Sequence, residues 1–186
     1  MKRELTPGCE KSKRVYSGKV VSLDVDTVRF PDGSTGELEM IRHSGASAVV
    51  PFLSDPGGED PQVLLIRQYR YAADGYLFEI PAGRLDPGED PRDCAARELK
   101  EETGCTTEKL DYLLTMYTTP GFTDEKIHIY MATGLVTGET KHEADEFLEL
   151  HPTLLSRALE MIEAGEIRDG KTALGLLFAA GFRADH

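Results

Sequence analysis

Residues 83–105 read GRLDPGEDPRDCAARELKEETGC, and this stretch decides the fold. Asp90 is a favourable N-cap, and Pro91 takes the first helical position, where its missing N–H costs nothing. Gly104 suits the left-handed residue that closes a helix. The spacing predicts one helix between these ends, with Cys94, Ala95 and Leu99 turned toward a core. Glu98, Glu101 and Glu102 stand at helical neighbour spacing and share one face. Each like-charged pair at that spacing costs about 0.2–0.5 kcal/mol on an exposed helix. A hard divalent cation wants several oxygens at short range and would turn that repulsion into coordination. Arg97 could pin one carboxylate, or the incoming loop that carries Glu89, through a bidentate pair. A solvated acidic face is the plain alternative, and the helix alone does not separate the two.

Outward from the helix, the chain mixes strands and helices without regular alternation. Val15 to Ile41 contains GKVVSLDVDTVRF and GELEMIRH, two strand-like runs joined by the turn residues Pro31, Asp32 and Gly33. Further strands are expected at Ala46 to Leu53, Val63 to Tyr71 and Tyr76 to Ile80. Beyond the helix, more follow at Leu110 to Tyr117, Lys126 to Thr133 and Phe147 to Leu150. Helices are expected at Pro152 to Ala164 and Lys171 to Phe182. This order fits an α+β fold with a mixed sheet between helices, and not a doubly wound dinucleotide-binding fold. Residues 1–43 form a small antiparallel β unit in this reading, and residues 44–186 the main domain.

Composition bounds the function. The chain has 186 residues, 40% hydrophobic and 29% charged, enough for one substantial core. A formal net charge of -12 argues against nucleic acid and anionic membranes as partners. A small anionic substrate stays possible, because a bound metal reverses the local sign of a site. Cys9, Cys94 and Cys105 have no metal-site spacing and read as reduced thiols. The N-terminal residues lack the apolar core of a secretory signal, and no apolar run is long enough to span a bilayer. The expected location is the cytoplasm.

The quoted stretch resembles the Nudix box: Gly, five residues, Glu, seven residues, Arg-Glu, an aliphatic, any residue, Glu-Glu, any residue, Gly, an aliphatic. Gly83, Glu89, Arg97, Glu98, Leu99, Glu101, Glu102 and Gly104 match it, and only Cys105 departs, as a small apolar substitute. A pattern of this length is highly specific. The resemblance to Nudix hydrolases implies an α/β/α sandwich with the box as loop–helix–loop. It implies Glu98 and Glu102 as the principal metal ligands, with Glu101 beside them as a ligand or catalytic carboxylate. The Ala82 carbonyl matches a backbone ligand, and Glu89 a residue that supports the loop or binds metal through water. The implied reaction is hydrolysis of a pyrophosphate bond with two or three Mg²⁺, for which Mn²⁺ could substitute.

Beyond the box, RQYR and EIPAG, Pro120 sixteen residues after Gly104, HEADEFLEL and IRDGKTALGLL resemble the ADP-ribose pyrophosphatase subfamily. That resemblance implies ADP-ribose as substrate, cut to AMP and ribose 5-phosphate. Another nucleotide sugar or NADH is the alternative. A non-catalytic Nudix-fold sensor is disfavoured, because such proteins lose box carboxylates that this chain keeps. Arg70 and Arg67 are candidates for a phosphate or the terminal ribose, Glu79 for a ribose hydroxyl or for a pair with an arginine, and Arg42 is a weaker substrate candidate that a surface salt bridge would explain better. The base that activates water is expected in the acidic loop, at Glu146 with Glu143 in reserve. The subfamily further implies a homodimer, with the N-terminal unit exchanged between subunits.

Overall fold

The computed structural model describes residues 7–138 and 148–184. They form two compact units. One runs to Gly45 and includes Tyr117–Lys126; the other comprises Ala46–Met116 and the described residues from Ile127 onward.

The first unit is an antiparallel sheet of β1 (Gly8–Ser17), β2 (Ser22–Arg29) and β3 (Thr35–Arg42), in that order. Its tight turn uses Gly33 at φ 86°, with the Asp32 carboxylate accepting the Ser34 N–H at 2.9 Å. The sequence reading finds the runs that become β2 and β3 but not a separate β1. Every residue of β1 is exposed, so the strand carries no alternation of apolar and polar side chains to betray it. The Ile41 N–H donates to the Phe122 carbonyl at 2.7 Å, which ties β3 to the Tyr117–Lys126 segment.

The second unit begins with β4 (Ala46–Pro51), β5 (Gln62–Arg70), β6 (Gly75–Glu79) and β7 (Ala82–Arg84). It continues through α1 (Pro91–Thr103), β8 (Lys109–Tyr117), β9 (Lys126–Thr133), β10 (Leu148–Leu154), α2 (Leu155–Glu163) and α3 (Gly170–Ala184). One sheet has the order β10-β5-β6 and is antiparallel throughout. The other has the order β7-β4-β9-β8, with β4 antiparallel to β7 and parallel to β9. Neighbouring residues of β4 and β5 serve opposite faces, so each strand carries an unbroken apolar run, residues 48–51 in β4 and 63–66 in β5. Val50 and Leu65 join a core with Leu155 and Leu176 from α2 and α3. Val49 and Leu64 join a second core with Ala95 and Leu99 from α1. The result is the expected sandwich of helices about mixed strands. At Gly175 an added Cβ would stand 3.0 Å from Val50 Cγ2, so that glycine sets how closely α3 approaches β4.

Within this unit β7 and β10 also differ from expectation. The three-residue β7 is too short to leave a periodic signature. Pro152, read as a helix start, instead lies inside β10 opposite Leu64. The Leu155 N–H donates to the Pro61 carbonyl at 2.8 Å. Hydrogen-bonded pairs alternate along an antiparallel ladder, so Pro152 turns its nitrogen away from β5. A proline is tolerated there because β10 is an edge strand.

Candidate functional site

Helix α1 forms as its caps dictate. The Asp90 carboxylate accepts the Arg92 N–H at 2.8 Å, and Gly104, at φ 71°, donates its N–H to the Lys100 carbonyl. Cys94, Ala95 and Leu99 are buried as expected, and so are Glu98 and Glu102. Burial of two carboxylates on one helix face is costly unless each is compensated.

The compensation comes from two directions. Glu102 Oε2 accepts the Ala82 N–H at 3.0 Å. Glu98 Oε1 accepts from Arg97 Nη1 at 2.5 Å and lies against Gly83, where any Cβ would collide with its carboxylate. Arg97 also holds Glu89 through two bonds of 2.9 Å, Glu101 at 3.1 Å and the Arg84 carbonyl at 3.1 Å. The sequence suggested that Arg97 pins either a carboxylate or the incoming loop; it does both. The Arg97 bonds hold the Glu89 carboxyl at about 2, against the opposing effect of its burial. Hydrogen bonding to Glu89, above all, raises the guanidinium pKa. Cys94, buried beside Gly83 and Arg97, is pushed up to about 12 by burial and then by the Glu89 charge, which favours the neutral thiol.

Among the described residues, no three His, Cys, Asp or Glu side chains are gathered closely enough to cage a cation. Arg97 supplies one positive charge to three carboxylates, Glu98, Glu89 and Glu101, so the cluster keeps a net negative charge. The donor chemistry nevertheless fits a hard divalent ion: buried carboxylates on one helix face, held against a backbone segment with no side chain at Gly83.

Arg70 and Glu79 form a two-point ion pair, Nε to Oε1 at 2.7 Å and Nη2 to Oε2 at 2.9 Å. The Glu79 side chain is 2% exposed and that of Arg70 41%, so the arginine alone presents a surface to solvent. Lys171 Nζ reaches Glu79 Oε2 at 2.5 Å. The sequence reading passed over Lys171, which is distant in the chain from its partner. Arg67 bonds Glu149 at 3.2 Å and stacks over the Tyr76 ring at 4.1 Å, both partners on neighbouring strands. In the N-terminal unit, Arg42 is taken up by Asp24, Asp26 and Asp124. The two base candidates, Glu143 and Glu146, lie outside the described residues.

Residues 43–171 match the NUDIX domain. This chain belongs to the NUDIX family. A methanol dehydrogenase activator of Bacillus methanolicus is 40% identical over 170 residues, covering 90% of this chain and 89% of that protein. An ADP-ribose pyrophosphatase of Bacillus subtilis (strain 168) is 39% identical over 168 residues, covering 89% of this chain and 88% of that protein. The crystal structure of an ADP compounds hydrolase superposes with a TM-score of 0.81 over 100% of this chain and 98% of that one. At 21% identity, that superposition speaks for the NUDIX fold alone. None of the helices, searched over the described residues, is long and apolar enough to cross a membrane.

Proposed function

We propose that this NUDIX protein hydrolyses the pyrophosphate bond of ADP-ribose, giving AMP and ribose 5-phosphate. The observation that carries the reading is the buried pair Glu98 and Glu102, set against Gly83 and the Ala82 amide. The identity to an ADP-ribose pyrophosphatase over nearly the whole chain supports the substrate. Glu98, Glu102 and the Ala82 carbonyl would hold divalent cations, two or three Mg²⁺ replaceable by Mn²⁺, with Glu101 as a further ligand or catalytic carboxylate. Bound there, such ions neutralise the diphosphate and the charge that develops on the leaving phosphate.

The protein groups divide the remaining tasks. Arg70, kept charged and oriented by Glu79, offers its exposed side to a phosphate or the terminal ribose. Arg67 and Arg42 are the lesser substrate contacts, and each must share its guanidinium with the carboxylates it already holds. Glu146, or Glu143 in its place, takes the proton of the attacking water. The protein works in the cytoplasm as a homodimer, in which residues 1–43 complete the substrate site of the partner's 44–186 domain.

The test is turnover of ADP-ribose with Mg²⁺ in ¹⁸O-labelled water, beside GDP-mannose and NADH. AMP and ribose 5-phosphate, with one product carrying the label, are expected. Faster turnover of another nucleotide sugar or of NADH would reassign the substrate. No Mg²⁺-dependent turnover of any of them would reject the hydrolase reading.

A further inference from the structure

Ala82 lies three residues beyond Glu79, and each step between them is tied to a different part of the fold. The ladder of β6 ends with Glu79 opposite Ile66. Pro81 has no N–H with which to prolong it. The chain must therefore leave one sheet and reach β7 in the other with its backbone groups satisfied elsewhere. The Pro81 carbonyl accepts the Val49 N–H at 2.9 Å, and the Ala82 N–H goes to Glu102. The Ile80 N–H donates to the hydroxyl of Thr172, 2.9 Å away on α3. Thr172 is 0% exposed, as is Ile80.

That hydroxyl has a defined orientation. It donates to Asp169 Oδ2 at 2.5 Å, which turns its lone pairs toward Ile80. The same carboxylate oxygen caps α3 by accepting the Thr172 N–H at 3.0 Å and receives Lys171 Nζ at 3.0 Å. Lys171 in turn reaches Glu79. The first turn of α3 thus grips two consecutive residues, Glu79 by its side chain and Ile80 by its backbone.

We propose that this turn is a positioning device for the metal-binding segment. Thr172, oriented by Asp169, and Lys171 set where Ala82 and Gly83 stand against Glu102 and Glu98. The inference rests on the reading that these carboxylates and the Ala82 carbonyl hold a divalent cation. Groups that orient metal ligands typically contribute about 10–100-fold in affinity. Thr172 acts one step further back, so an effect of roughly 3–10-fold is expected.

The experiment measures Mn²⁺ binding to the full chain without substrate, by the electron paramagnetic resonance of the free ion. Amide deuterium exchange of residues 79–84 and urea unfolding are followed in parallel. Thr172→Val should stay folded, bind Mn²⁺ roughly 3–10-fold more weakly and exchange faster at Ile80 and Ala82. Thr172→Ser, which restores the hydroxyl, should bind within about twofold of the parent. Parent-like Mn²⁺ affinity in Thr172→Val, beside lost binding in Glu98→Gln, overturns the positioning role. Parent-like affinity in Glu98→Gln overturns the metal assignment beneath it, a separate failure. Should Thr172→Val not fold, Lys171→Met is measured in its place. It leaves the hydroxyl bonds intact, and an unchanged Mn²⁺ affinity there also counts against the proposal.

Discussion

Replacing Glu79 with Gln removes one negative charge from a site where almost no water can replace it. The side chain is 2% exposed and meets two cations, Arg70 and Lys171. Breaking a buried ion pair from one side costs about 3–5 kcal/mol, because the stranded partner stays buried. The two partners differ here. Arg70 is 41% exposed and can turn to water, whereas Lys171 is 11% exposed and would keep only Asp169. Gln also keeps an acceptor oxygen. The expected loss is therefore at or just below the bottom of that range, about 2–3 kcal/mol, or roughly 5–10 °C in melting temperature for a chain of this size. Urea unfolding at pH 7.5 measures it. Glu149→Gln is the control, since the Arg67–Glu149 pair is 36% and 59% exposed and should contribute no more than about 0.5 kcal/mol. The pH dependence has a definite sign. Burial alone would raise the Glu79 carboxyl, but Arg70 and Lys171 outweigh it and leave it below its ordinary range. A lowered folded pKa gives stability that is complete above the unfolded value of about 4.3 and is lost as the pH falls through the folded one. The gap between parent and variant should accordingly narrow in acid below about pH 4. A Glu79→Gln protein that unfolds with the Glu149→Gln control at pH 7.5 would refute the reasoning.

Other substitutions probe the chemistry. Glu98→Gln or Glu102→Gln should lower kcat by at least about a hundredfold, near 2.7 kcal/mol of transition-state stabilisation, while the protein stays folded. Near-normal turnover of both at saturating Mg²⁺ would remove them from the metal site. Glu146→Gln, or Glu143→Gln if the register differs, should cut kcat by roughly 10²–10⁴ with substrate affinity retained. Full kcat in both singles and the double would leave water activation to the metals or to another residue. Sedimentation at micromolar concentration should give a species of twice the 20.5 kDa chain mass, and a monomer alone would contradict the dimer.

The part of the site that the sequence made legible is the part built from neighbours. Asp90, Pro91 and Gly104 end α1 where their local chemistry says they should, and helical spacing alone puts Glu98 and Glu102 on one face. The contacts that escaped the sequence are those between distant residues. Nothing near Glu79 announces Lys171, and nothing near Ile80 announces the Thr172 hydroxyl, because both partners arrive on the last helix. The full role of Arg97 escaped as well: spacing suggested one bond, whereas folding the loop back over α1 gives it Glu89, Glu98 and Glu101 together. Strand β1 escaped for the opposite reason, since a wholly exposed strand has no face to mark. At Pro152 the local rule for a helix start lost to the ladder with β5, which takes a proline without penalty at an edge.

That proline bears on how the protein behaves when crowded. Leu150 and Leu154 flank it on β10, 40% and 47% exposed, and among the described residues no strand pairs with the outer edge of β10. Such edges recruit strands from other molecules and seed aggregates. Pro152 withholds its donor on the outward side, so an incoming strand would meet a gap in the middle of the run. A proline at such a position is one of the devices that discourage cross-molecule sheet growth. A β-branched residue there would suit the strand better and, by restoring the donor, leave the protein more prone to precipitate.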